Sequence, residues 1–193
     1  MAHAYLSFGD APRLTGNMMA DFIRGKPLPE LPEAIRQGIV LHREIDDFTD
    51  HHAINHEAYA FFRPSAGKFA PVFLDIAYDY FLSNHPAYFP DQESLNRFAA
   101  DTYRGIGQHL AHTDERFQQM FVRMRDQNWL ARYNQTESMA RSFHSVTYRT
   151  KHITDTEPIF EAFLTHQTGL KAAFDAFFPD LEQHVKNMLF RSP

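Results

Sequence analysis

The segment from residue 32 to residue 50 places charged side chains on the face of a helix that should be buried. Ile35 and Ile39 are four residues apart, and His42, Asp46 and Asp50 continue this line at i, i+4 and i+8. An amphipathic helix buries such a stripe, and buried charges are costly unless they are paired or bind a metal. The segment indicates either a metal site of imidazole and carboxylate ligands or a charged helix end exposed to solvent. Taken alone, it leaves both interpretations open.

A second segment, residues 70–82, is apolar on nearly every side and carries only two charges. These are Asp75 and Asp79, which are four residues apart and therefore share a helix face. Two carboxylates in apolar surroundings repel each other and lose hydration, so a cation is expected beside them. Arginine side chains would satisfy this need as ion pairs. We favour a divalent metal because the first segment also supplies carboxylates and a histidine.

The apolar residues of the whole chain recur at helical spacing, and no stretch alternates with a period of two. The pattern predicts an all-α fold, a single-domain helical bundle over residues 1–193. Since 44% of the 193 residues are hydrophobic and 19 are phenylalanine, we expect a substantial aromatic core. Pro179 is expected to end a helix. The acids and histidines that suggest a site lie in residues 1–85, and the second half is interpreted as scaffold.

Composition restricts the chemistry of any site. The chain has no cysteine, so a metal must be held by His, Asp and Glu, which suits Mn, Mg, Fe or Zn. A net charge of −5 argues against a nucleic-acid-binding protein. Neither a signal peptide nor an apolar run long enough to span a membrane is visible, so the expected location is cytoplasmic.

A metal held by carboxylates and histidine suits hydrolysis at phosphorus. The metal polarises the phosphoryl oxygen and lowers the pKa of a bound water. Arginines neutralise the charge that develops on the phosphoryl oxygens, and the candidates are Arg24, Arg43 and Arg63.

Four blocks of the first 85 residues resemble the acyl carrier protein phosphodiesterases. They are residues 2–7 (AHAYLS), 16–25 (GNMMADFIRG), 38–50 (GIVLHREIDDFTD) and 74–82 (LDIAYDYFL). The resemblance implies an all-helical, HD-phosphohydrolase-like fold and a divalent metal, most commonly Mn²⁺, with Mg²⁺ or Fe²⁺ as alternatives. It also implies cleavage of the phosphodiester between phosphopantetheine and a serine of holo-acyl carrier protein, within fatty acid biosynthesis and lipid metabolism. The chain departs from the usual HD pattern because three residues separate His42 from Asp46.

The resemblance suggests roles for individual residues. The metal ligands are expected to be His42, Asp46, Asp75, Asp79 and Asp21. Catalytic roles are expected for Asp50, which would ligate the metal or orient a ligand, for His3 as ligand or proton donor, and for Arg43. Substrate binding is expected from Asn17, Arg24 and Arg63. Because acyl carrier proteins are strongly acidic, docking is expected to be salt-sensitive and to use a basic rim of Arg24, Lys26, Arg36, Arg43, Arg63 and Lys68.

Two other functions are compatible with the same residues. One is a metal phosphohydrolase that acts on a nucleotide or another small phosphodiester, since helical enzymes of this kind need no Gly-rich phosphate loop. The other is a non-catalytic helical bundle that binds carrier proteins and whose acids form ion pairs. Metal content and preference for a protein substrate separate these alternatives.

Overall fold

The structure is a computed structural model that describes residues 1–25, 29–147 and 153–190. Within these ranges it contains helices and turns but no β-strand, which confirms the all-α prediction. The α-helices are α1 (Ala2–Tyr5), α2 (Ala11–Met19), α3 (Glu33–His51), α4 (Ala53–Ala58), α5 (Arg63–Ala66), α6 (Ala70–Asn84), α7 (Gln92–His109), α8 (Glu115–Asp126), α9 (Thr136–Thr147), α10 (Glu157–Thr165) and α11 (Gln167–Phe190). Short 3₁₀ helices span Ala20–Phe22, Tyr59–Phe61, Gly67–Phe69, Leu110–His112 and Leu130–Arg132. Among the described helices, none combines the length and the apolar character that crossing a membrane requires.

The chain divides into two compact units. The first unit comprises Met1–Asp47 and Phe89–Ala131, and the second comprises Phe48–Tyr88 and Arg132–Pro193. A single domain over the whole chain and an HD-like arrangement of helices both stay predictions.

In the first unit, polar caps set where the helices begin. Asp10 accepts a hydrogen bond from the Arg13 backbone N–H at 2.9 Å and thereby caps α2, whose first turn contains Pro12. Asp91 and Ser94 form a reciprocal capping box at the start of α7. Helix α2 packs against α7 and α1. Behind them lie the buried rings of Phe117 and Phe121 from α8.

Two glycines allow α2 and α3 to approach until their backbones touch. A Cβ atom at Gly16 would lie 2.0 Å from the Ile35 carbonyl oxygen, and one at Gly38 would lie 2.1 Å from the Arg13 carbonyl oxygen. No side chain fits at either position, so the crossing depends on glycine in both helices. Gly16 directly precedes Asn17 in α2, and Gly38 lies about one turn before His42 in α3.

Trp129, the only tryptophan of the chain, lies in the turn after α8 in the first unit. Its backbone N–H donates to the Met124 carbonyl at 3.0 Å, and its indole Nε1–H donates to Gln127 Oε1 at 2.9 Å. Trp129 is 37% exposed. The next residue, Leu130, donates its backbone N–H to the hydroxyl of Tyr103 at 2.9 Å, which ties the turn to α7.

The core of the second unit is built from phenylalanine rings, as the composition predicted. Phe73 of α6 and Phe143 of α9 pack edge to face with 5.0 Å between ring centroids. Pro179 was expected to end a helix, but α11 continues through it to Phe190. The rings of Phe177 and Phe178, immediately before the proline, are almost completely buried. This packing compensates for the backbone hydrogen bond that is lost because proline has no N–H.

Candidate metal and catalytic site

His42 lies in α3 with its imidazole buried and directed at two carboxylates. Its Nε2 is 3.3 Å from Asp21 Oδ1 and 3.2 Å from Asp46 Oδ2. Asp46 is one helical turn further along α3, as its four-residue spacing predicted. Asp21 comes from the 3₁₀ helix that follows α2. The other ring nitrogen of His42, Nδ1, is buried without a hydrogen-bond partner among the described residues.

His3 reaches the same carboxylate from the N-terminal helix α1. Its Nε2 lies 3.4 Å from Asp46 Oδ1, and its ring stacks on that of His42 with centroids 4.2 Å apart and planes 26° apart. Each oxygen of Asp46 therefore faces the Nε2 atom of a different histidine. The Nε2 atoms of both imidazoles therefore lie beside the same carboxylate.

The spacing of these atoms fits the ligands of one metal ion. His3, His42 and Asp46 each offer a ligand atom, and these atoms lie within 4.8 Å of one another. Ligands about 2.1 Å from a metal and separated by angles of about 90–110° lie about 3.0–3.4 Å apart. The distances from Asp46 run to its two different oxygens, 3.4 Å from Oδ1 to His3 Nε2 and 3.2 Å from Oδ2 to His42 Nε2, and both fall in this range. The group could hold a metal ion.

The charges of the cluster depend on one another. Burial lowers the pKa of His42, but hydrogen bonds to Asp21 and Asp46 and their negative charges outweigh burial and raise it to about 9. Burial raises the pKa of Asp46, but His3 and His42 outweigh this and hold it far below its usual value. The hydrogen bond from His42 likewise lowers the pKa of Asp21. Without a metal, a protonated His42 compensates the charge of these carboxylates near neutral pH.

A buried amide lies behind His3. Asn17 is completely buried, and its Oδ1 lies 3.0 Å from His3 Nδ1. Its Nδ2 donates to the His3 carbonyl oxygen at 2.8 Å and to Ser7 Oγ at 3.1 Å. Ser7 is also completely buried, and its hydroxyl donates to the same carbonyl at 2.9 Å. The sequence analysis assigned no role to Ser7, although it lies in the block of residues 2–7 that carries part of the family resemblance.

The expected substrate-binding arginines of the first unit lie at its surface. Arg24 and Arg43 are exposed, and a guanidinium N–H of Arg43 donates to the Gly25 carbonyl oxygen. Arg36, expected in the basic rim, pairs with Glu33 and donates to the Pro29 carbonyl. Lys26, the other rim residue in this stretch, lies outside the described residues.

The remaining predicted residues lie in the second unit. Asp75 and Asp79 are one turn apart on α6, where Asp75 is exposed and Asp79 is half-buried. The full desolvation expected for this pair is therefore absent at Asp75. The charges of Asp50, Asp75 and Arg63 all affect the pKa of the Tyr59 hydroxyl. Burial and the two carboxylates raise the pKa of Tyr59 to about 12, while the arginine opposes them. No pattern in the sequence singles out Tyr59.

The family model and the relatives that match this chain over nearly its whole length carry the same description. The family model described as acyl carrier protein phosphodiesterase matches residues 1–181. A protein of that name from Klebsiella pneumoniae is 32% identical over 187 residues, 97% of each chain. Its namesake from Photorhabdus laumondii is 31% identical over 190 residues, covering 98% of this chain and 96% of the relative. A third, from Yersinia pestis, is 29% identical over 187 residues. No solved structure matches the chain.

Proposed function

Because the chain belongs to the acyl carrier protein phosphodiesterase family, we propose that it hydrolyses holo-acyl carrier protein at a metal held by His3, His42 and Asp46. The reaction adds water to phosphorus and breaks the bond between phosphorus and the serine oxygen of the carrier protein. The serine oxygen leaves with a proton, so the products are apo-acyl carrier protein and free phosphopantetheine. The observation that carries the metal proposal is the convergence of two Nε2 atoms on the two oxygens of Asp46.

The donor atoms limit the identity of the metal. Two imidazole nitrogens and carboxylate oxygens without sulfur suit first-row divalent ions better than Ca²⁺ or Cu⁺. We propose Mn²⁺ as the native ion, as the family resemblance implies, with Mg²⁺ or Fe²⁺ as alternatives. Asp21 is the candidate for a further ligand, since its Oδ1 lies 3.3 Å from His42 Nε2.

When bound, the metal would polarise the phosphoryl oxygen and lower the pKa of a water molecule. The chain's own residues have two tasks in this reaction. His3, His42 and Asp46 would fix the position of the ion, with Asp21 as the candidate for a further ligand. The exposed guanidinium groups of Arg24 and Arg43 are placed to attract a phosphodiester carried by an acidic protein.

The sequence analysis also assigned roles in the site to carboxylates of the second unit. Asp75 and Asp79 are proposed as further metal ligands, Asp50 as a ligand or orienting group, and Arg63 as a phosphate-binding residue. The charges of Asp50, Asp75 and Arg63 all affect the pKa of Tyr59, which supports grouping these three side chains. The cytoplasmic location and the role in fatty acid biosynthesis stay predictions.

The first experiment measures the intact mass of holo-acyl carrier protein after incubation with the enzyme and Mn²⁺, and again with EDTA. We expect a shift to the apo mass that EDTA abolishes and added Mn²⁺ restores. Metal binding without a mass shift would instead favour a small phosphodiester as substrate. The absence of both a shift and bound metal would favour a carrier-protein-binding module. Parallel reactions with Mg²⁺, Fe²⁺ and Zn²⁺ test the choice of ion.

A further inference from the structure

The amide of Asn17, beside the proposed metal ligand His3, makes three contacts within the protein. It is completely buried, and its amide contacts His3 at both the ring and the backbone, as well as Ser7. Both hydrogens of its amide nitrogen have acceptors within the protein, so the side chain has no donor left for a phosphate oxygen. This arrangement favours a structural task over the substrate contact expected from the sequence.

The chemistry of the His3 carbonyl fixes which amide atom is which. A carbonyl oxygen only accepts hydrogen bonds, so the Asn17 atom 2.8 Å away must be the nitrogen. The other amide atom, 3.0 Å from His3 Nδ1, is therefore the oxygen, which also only accepts. His3 Nδ1 must then carry a hydrogen and donate it. In the neutral ring, this leaves Nε2 without a proton and with a free lone pair.

The opposite preference comes from the carboxylate on the other side of the ring. Asp46 Oδ1 is 3.4 Å from His3 Nε2, and a nearby negative charge favours a proton on that nitrogen. A neutral His3 with its proton on Nε2 could not bind a metal through this atom. Without Asn17, Asp46 would favour the tautomer that cannot bind.

We propose that Asn17 is a positioning residue that holds His3 in the Nδ1–H tautomer, so that the Nε2 lone pair faces the metal site. The inference rests on the proposed function, since it assigns His3 as a ligand. His42 has no equivalent partner, because its Nδ1 is buried without a hydrogen bond among the described residues. The contact of α2 with α3 at Gly16 fixes the backbone directly before Asn17 and so places the amide. In metal sites, the second ring nitrogen of a histidine ligand commonly has such a partner, which sets the tautomer.

The tautomer is measured directly in the metal-free, ¹⁵N-labelled protein by two-bond ¹⁵N–¹H correlation spectra at alkaline pH, where neutral histidines show distinct patterns. We expect His3 to carry its proton on Nδ1. A wild-type spectrum with the proton on Nε2 overturns the proposal without any variant. Zn²⁺, a diamagnetic substitute for Mn²⁺, should then shift the His3 Nε2 resonance and leave Nδ1 protonated.

Two substitutions of Asn17 separate positioning from packing. Asn17→Leu keeps a similar volume but removes the acceptor, so we expect His3 to lose its fixed tautomer and Mn²⁺ affinity to fall about 10- to 100-fold. Asn17→Asp retains an oxygen facing Nδ1 in either protonation state. We expect it to preserve the tautomer and most of the affinity, although it loses the donors to the His3 carbonyl and Ser7. Both variants should lower the thermal stability, which therefore does not account for the difference between them.

Thr15→Val is the matched control. Thr15 is completely buried in the same helix, and its hydroxyl donates to the Ala11 carbonyl at 2.9 Å without touching His3. We expect this variant to lose stability but to keep the His3 tautomer and the Mn²⁺ affinity of the wild type. If Asn17→Leu retains both, the proposal is overturned. If the wild type binds no metal, the proposed function fails, while the spectrum of the metal-free protein still decides the role of Asn17.

Discussion

Gly38 in α3 is in backbone contact with Arg13 in α2, where an added Cβ atom would stand 2.1 Å from the Arg13 carbonyl oxygen. An ordinary substitution at Gly38 must therefore separate two helices rather than shift a side chain. The same two helices carry Asn17 and His42, so the contact links the stability of the fold to the geometry of the proposed metal site.

We expect Gly38→Ala to lower the free energy of unfolding by about 1–3 kcal/mol or more, despite the higher helix propensity of alanine, because the helices must move apart. Mn²⁺ affinity should fall as well. The control is Gly107→Ala in α7, where an added Cβ atom meets nothing within 4 Å. That variant should gain about 0.5–1 kcal/mol in urea unfolding. Equal effects of the two substitutions would contradict the steric explanation.

The metal ligands are tested by His42→Ala and Asp46→Asn, each with its own metal titration. We expect either substitution to abolish measurable Mn²⁺ binding in isothermal titration calorimetry and to reduce turnover of holo-acyl carrier protein at least about 100-fold. His112→Ala serves as the control because His112 is an exposed histidine in the same unit. Wild-type affinity in His42→Ala would remove the basis for the proposed centre.

The stability of the metal-free protein should depend on pH in a defined direction. The pKa of His42 is raised from 6.5 to about 9 on folding, so its contribution is complete below about pH 6.5 and is lost as the pH rises through about 9. The pKa values of Asp21 and Asp46 are lowered from 3.8, so their contributions are present above about pH 4 and are lost in acid.

Urea unfolding in EDTA should therefore show a free energy that decreases between about pH 6.5 and pH 9. In His42→Gln this decrease should be much smaller, because the titrating group is gone. Saturating Mn²⁺ should reverse the trend, since metal binding requires the deprotonated ring. A wild-type stability that increases over this interval without metal would show that His42 is not held protonated by its two carboxylates.

Asp75 provides a test of the ligands proposed in the second unit. Asp75→Asn should abolish turnover if the carboxylate is a ligand, and it should leave the melting temperature nearly unchanged because the side chain is exposed. Asp101→Asn, at another exposed helical aspartate, should affect neither. Full turnover and normal metal content in Asp75→Asn would restrict the centre to residues of the first unit.

Arg24 tests docking of the acidic substrate. Arg24→Ala should raise KM for holo-acyl carrier protein about two- to five-fold at low salt, with less effect on kcat, because an exposed charge acts mainly on encounter. The difference from the wild type should shrink as NaCl is raised, since salt screens the attraction. Arg97→Ala, an exposed arginine on α7, is the matched control. A KM that is unchanged at every salt concentration would exclude Arg24 from the docking surface.

The sequence predicted the parts of the site that follow from spacing within one helix. The four-residue interval of His42 and Asp46 was sufficient to place them on one face, and α3 begins at Glu33, directly after Pro32. Contacts between helices were harder to predict. Nothing in the chain indicates that Gly16 and Gly38 face each other, or that Asn17 contacts His3.

Two expectations overestimated the influence of local sequence. The apolar character of residues 70–82 suggested burial on all sides, yet a helix can be largely apolar and still expose one residue, as Asp75 is exposed. Pro179 was expected to end a helix, but the packing of neighbouring phenylalanines outweighs the local preference. In both cases, the outcome depends on neighbours that are distant in sequence.

Trp129 makes the two units spectroscopically distinguishable. The chain has one tryptophan, and it lies in the unit that contains His3, His42 and Asp46, whereas most of the eight tyrosines lie in the other unit. Fluorescence excited at the red edge of the indole band therefore reports on the first unit alone, without an engineered label. Loss of that signal and loss of the total helical circular dichroism need not coincide during unfolding, so their comparison measures how cooperatively the two halves of the protein melt.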